Sequence, residues 1–150
     1  MQGFQSFVDA INSADTDKVV SAAELAAQKV QEIRDNFDYI NEAYETQIEY
    51  QENLNKLNEQ SIEDAETFGN SVTAGMRDRQ KQNAGILKNL AQHEADSLQK
   101  ELDAGVSSGT IVKGSKEWIE MTQNILKAKQ SVHDYDVQIK QMELKKLDDI

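Results

Sequence analysis

The chain has 150 residues, with 27 acidic and 16 basic side chains, a net charge of -11, and neither Pro nor Cys. That length suits one domain, and the absence of cysteine excludes a disulfide framework. A mean hydropathy of -0.70 and only 6% aromatic residues leave little material for a thick globular core, and they point to long helices that bury narrow stripes.

From the start, residues 1–14 read as a short amphipathic helix and turn. Phe4, Phe7, Val8 and Ile11 form its apolar side, and the cluster Asn12-Ser13-Ala14-Asp15-Thr16 supplies caps for the next helix. Residues 15–68 read as one long acidic helix, because neither Gly nor Pro occurs between positions 4 and 68. Val30, Ile33, Phe37, Ile40 and Tyr44 recur at spacings of three and four, the seam of a packed helix. Ile48, Leu54 and Leu57 extend this seam, with Gln47 and Gln51 taking seam positions between them. A helix of that length spans roughly 75 Å, so a break is expected near 58–61, where Ser61 and Asp64 make a weak capping box.

Gly69-Asn70-Ser71 reads as a stop followed by a start, and opens a helix over 69–104 whose seam is Leu87, Leu90 or Ala91, Ala95, Leu98 and Leu102. Gly105 is expected to end it, giving a connector over 105–114 whose Ile111 and Val112 pack on the helix ends. Ser115 caps the last helix, 115–150. Its stripe of Trp118, Met121, Ile125, Ala128, Val132, Tyr135, Ile139 and Met142 has coiled-coil spacing. This helix reaches Ile150 with no stop signal, as in a piece of a longer chain. The fold class is therefore all-α: long amphipathic helices in hairpins or a coiled coil, elongated. An apolar stripe on a lone helix is unstable in water, so self-association or a neighbouring helix of the same chain is expected to cover it.

Catalytic and cofactor signatures are sparse. His93-Glu94 lacks the second histidine one turn on that zinc binding requires, since Ser97 stands there. His133 and Asp134 are adjacent and point to different helix faces. The Gly109 to Ser115 segment contains Lys and Ser but not in phosphate-loop order. Met121 and Met142 belong to the stripe. The reading is a chain without catalytic, cofactor or metal residues, and so not an enzyme.

Charge argues similarly against nucleic acid. Residues 1–75 hold 15 acidic and 4 basic side chains, and residues 76–150 hold 12 of each. Phosphate binding needs clustered Lys and Arg, so no direct nucleic-acid contact is expected. No stretch approaches the roughly 18 apolar residues of a membrane span, and no membrane segment is expected.

The succession Leu98-x-x-x-Leu102, Gly105, Gly109, Ile111-x-x-Gly114-Ser115-x-x-Trp118-x-x-Met121-x-x-x-Ile125, preceded by Gly69 and by Asn83-x-x-x-Leu87, resembles the central helical region of bacteriophage tail tape measure proteins. The likeness is to versions found in phages and prophages of Gram-positive bacteria, and it covers roughly residues 68–150. The Gly-Ser-x-x-Trp-x-x-Met block carries it. That family often has an aromatic directly after the Trp, where this chain has Ile119. The resemblance implies a non-catalytic structural protein that lies in the tail lumen of the virion, and in the host cytoplasm during assembly. It implies partners in tail tube and tail assembly proteins and in other copies of itself, and a role in setting tail length. From the residues alone, a cellular or secreted coiled-coil adaptor that binds partner helices is the alternative.

Overall fold

A computed structural model describes residues 16–72 and 74–148, and they form three helices: α1 (Thr16–Thr67), α2 (Ala74–Ser107) and α3 (Lys116–Asp148). No strand occurs among the described residues, and the fold is all-α. The short helix expected over 1–14 lies outside them.

The helices run up, down and up. Asn58 meets Met76 and Tyr44 meets Ser97, so α1 and α2 are antiparallel. Lys81 meets Glu143 and Lys88 meets Asp136, which makes α2 and α3 antiparallel too. α2 is the middle element, packed closely against both neighbours, while α1 and α3 meet each other mainly through side chains. Its core stripe explains that position. Ala84, Leu87, Ala91, Ala95, Leu98, Leu102 and Gly105 are all buried, and the small residues among them let two helices approach one backbone.

The apolar core lies toward the end of the molecule that holds the α2–α3 connector. Phe37, Leu98, Leu102, Ile111, Met121 and Ile125 form one cluster, with Val30, Ile33, Ile40, Val106 and Trp118 packed around it. Ile48, Leu87, Ala91 and Tyr135 form a second, flanked by Leu90 and Val132. Each fully buried Leu, Ile or Phe stabilises the fold by roughly 1.5–3 kcal/mol relative to exposure. Toward the other end the buried face of α1 turns polar, with Gln51, Asn55 and Asn58 buried before Ile62 and Ala65 resume the apolar pattern.

Four expectations change here. The break near 58–61 does not occur, and α1 is continuous for 52 residues, about 78 Å. Ser61 donates to the Leu57 carbonyl inside the helix instead of capping a new one, and the buried face continues across it against α2. Leu54 and Leu57 leave the core: they are 38% and 61% exposed, and Asn55 and Asn58 take the inward positions. α2 begins at Ala74 rather than just after Gly69, although Gly69 does terminate α1 with a φ of 73°. Gly105 does not end α2. It sits within the helix, which stops at Ser107, and the connector shortens to 108–115.

The reason for Gly105 is packing. A Cβ at this position would lie 2.8 Å from Ile111 Cγ1 and 3.3 Å from Ile33 Cδ1. The Thr110 and Ile111 amides both donate to the Gly105 carbonyl at 3.0 Å, folding the connector back so that Ile111 is buried. Val112, by contrast, is exposed. Gly109 and Gly114 take φ values of 76° and 86°, which an L side chain rarely adopts, and they bracket the reversal into α3.

Candidate functional site

The residues singled out by periodicity are brought together as packing surface inside one chain. On α3, Met121, Ile125, Ala128 and Tyr135 are buried, and Trp118, Val132, Ile139 and Met142 are half-buried beside them. On α1, Phe37 is buried, and Val30, Ile33, Ile40 and Tyr44 are half-buried. Both stripes face α2 and the shared core. The stripes are covered from within the chain, so the need for another copy to shield them does not arise.

Ser115 lies where an N-cap should. Its Oγ accepts from the Trp118 amide at 3.3 Å, one turn into α3. Trp118 thereby covers the joint between connector and core, next to Ile111 and Met121. Arg34 closes the same end from α1, its Nη2 donating to Glu120 Oε2 at 2.8 Å.

Between the apolar clusters and the polar end lies a carboxyl that periodicity alone did not flag. Glu94 is 2% exposed, and its Oε2 is without a hydrogen-bond partner. It occupies the core stripe of α2 between Ala91 and Leu98. Burial is the main cause that pushes its pKa up to about 8, and the neighbouring Glu45 carboxylate adds to this through charge and a shared hydrogen bond. Glu94 therefore keeps its proton at neutral pH. Close by, Tyr135 Oη donates to Glu52 Oε1 at 2.7 Å, and burial followed by that bond pushes the phenol up. Tyr44 Oη and Ser97 Oγ lie 3.4 Å apart. The spacing did leave a signal: position 94 falls three residues after Ala91 and four before Leu98, so any residue there must face inward.

Beyond this layer the interface is carried by amides. Gln51 Nε2 donates to Asn83 Oδ1 at 3.3 Å, and Asn58 Nδ2 donates to the Met76 carbonyl at 3.4 Å. Buried Arg77 reaches Glu66 at 3.1 Å. Asn55 Oδ1 and Gln80 Oε1 are buried without partners. On the opposite side, Lys88 and Lys140 both grip Asp136 and hold its carboxyl down to about 2 through hydrogen bonds, Lys88 first. Glu143 raises the Lys81 ammonium in the same way, through a hydrogen bond and its charge. A hollow of about 230 Å³ at this end is lined by Glu59, Arg77, Gln80, Gln138, Gln141, Met142 and Lys145.

Among the described residues, no group of His, Asp or Glu converges as a metal site, and no helix is long and apolar enough to cross a membrane. Both His93 and His133 are exposed. The arrangement is a helix-to-helix packing surface with one buried carboxyl, Glu94, inside it. Neither a protein-family model, a curated protein nor a solved structure matches this chain.

Proposed function

We propose that this chain is a segment of a phage tail tape measure protein, a non-catalytic structural element whose helices set a length during tail assembly. The observation that supports this reading is the joint between α2 and α3. The block Gly114-Ser115-x-x-Trp118-x-x-Met121, on which the resemblance rests, serves there as turn, cap, cover and core in one unit. A helical chain converts residue count into distance at a fixed rise, which a length-setting part requires. The partners of this reading are tail tube and assembly proteins and further copies of the chain, within the tail lumen and, before that, the host cytoplasm.

The test is a deletion of residues 16–148 from the parent protein, with tail length read by electron microscopy. A bundle like this one contributes the length of α1, about 78 Å. The same residues drawn out as a single helix contribute roughly 200 Å. Either shortening supports the reading and tells the two states apart. Tails of unchanged length would defeat it. A partner-binding helical scaffold is the second reading, favoured by the apolar residues that α1 leaves exposed.

A further inference from the structure

α1 carries two seams, and the three-helix bundle uses one of them. The second lies on its outer face: Tyr39, Ala43, Thr46, Tyr50, Leu54 and Leu57 follow one another at spacings of three and four. Tyr39 is 74%, Tyr50 66% and Leu57 61% exposed, so the bundle leaves this stripe largely in water. It runs for about five turns, or roughly 27 Å, enough for a partner helix to bury. Two hollows mark its course. One of about 410 Å³ is lined by Tyr39, Glu42, Ala43, Thr46 and Gln47. The other, of about 310 Å³, lies beyond Tyr50, between Leu54 and Leu57 and the Arg79 side of α2. Hollows bracketing a protruding ring are the form that knobs from a facing helix fill.

Charge identifies the occupant. Asp35, Glu42 and Glu49 stand seven residues apart along one flank of the stripe, all exposed, with Lys56 ending the acidic run, where a docked helix places its own flanking residues. We propose that the outer face of α1 between Tyr39 and Leu57 docks an amphipathic helix of another protein, with a leucine-type seam and Lys or Arg at its flanking positions. A second copy of this chain is a poor occupant. α1 carries 13 acidic and 4 basic side chains, and an antiparallel copy would set the acidic flank against itself. The inference is independent of the tape measure reading and survives its loss.

The test uses the full 150-residue chain and a synthetic 28-residue helical peptide with Leu at the seam positions and Lys at the flanks. Binding is followed by fluorescence anisotropy at physiological salt. Tyr50→Ser with Leu57→Ser is expected to weaken binding about tenfold or more, as loss of central anchors does. Glu42→Gln with Glu49→Gln is expected to weaken it several-fold and to reduce its salt dependence. A peptide with Glu at the flanks should not bind. Circular dichroism checks that the variants keep their helices, which is expected because all four side chains point to solvent. Absence of binding overturns the proposal, as does binding that ignores the Tyr50/Leu57 change, which marks mere ionic adhesion. A concentration-dependent dimer that this change abolishes also overturns it, since the occupant would then be a second copy.

Discussion

Glu94 shows what a single residue costs and controls in this bundle. Its ordinary value is 4.5, and the folded chain raises it to about 8. Between those values the native state holds a proton that the unfolded chain has released. The contribution of Glu94 to stability is therefore fully present below about pH 4.5 and falls as pH rises toward 8, with a limiting slope of roughly 1.4 kcal/mol per unit. Glu94→Gln keeps the shape and removes the ionisation, so it should flatten that fall and raise stability at pH 8. Urea midpoints at pH 5 and pH 8 decide this, and an unaltered slope in the variant would refute it. Two glycines of α2 make a second contrast. A Cβ at Gly85 meets nothing within 4 Å, so Gly85→Ala should stabilise by about 0.5–1 kcal/mol through helix propensity alone. At Gly105 the same methyl meets Ile111 and Ile33, and crowding of about 1–3 kcal/mol outweighs that gain. Thermal melts of the two variants should move in opposite directions.

At the scale of the element, what the sequence made legible follows from where apolar residues are unambiguous. The stripe of α3 reads directly because Trp118, Met121, Ile125, Ala128, Val132, Tyr135, Ile139 and Met142 hold its spacing without a gap, whereas the apolar residues beside them form no stripe of their own. Ile119 and Leu126 are exposed, one residue out of register. On α1 the same rule fails past Ile48, because Leu54 and Leu57 are better hydrophobes than Asn55 and Asn58, each one residue further on. The inward face is set by continuity with Phe37, Tyr44 and Ile48, and the amides of Gln51, Asn55 and Asn58 follow that rotation into the interface. Gly105 was opaque for a related reason: glycine signals a helix end by conformation and a close approach by its lack of a side chain, and only the neighbours distinguish the two. The polarity of Glu94 likewise conceals that its register points inward. The cap of α3 was legible because capping is local. Ser115→Ala should cost about 1 kcal/mol and Ser115→Asp should recover most of it. Trp118 is the only tryptophan, so its fluorescence during denaturant titration reports this change at the joint itself.

For the whole molecule, the parts that sequence leaves open are relations between helices. Spacing establishes that stripes exist, but whether they are covered by a second copy or by a folded-back neighbour depends on turns. Gly69 and the Gly109–Gly114 segment supply those turns, and all three stripes are then satisfied within one chain. Length is the other relation. α2 has 34 residues against 52 in α1, so α1 outruns the bundle, and residues 21–29 are exposed throughout. On the proposed reading the chain would have two lengths, one folded and one drawn out, separated by the free energy of its own packing.

That packing is lopsided, and the lopsidedness sets an order of opening. The end with Phe37, Leu98 and Ile125 is sealed by hydrocarbon, while toward the opposite end the helices are joined by Gln51, Asn55, Asn58 and Arg77 before Ile62 and Ala65, and Asn55 Oδ1 is buried without a partner. Water can replace an amide contact at little loss but cannot replace a buried Leu. Deuterium should therefore enter the backbone of 55–66 well before that of 37–48 in the same helix, a gradient that native-state exchange measures residue by residue. Uniform exchange along α1 would show one cooperative block. A zip that always starts from the same end gives any force pulling on the chain a single sequence of events.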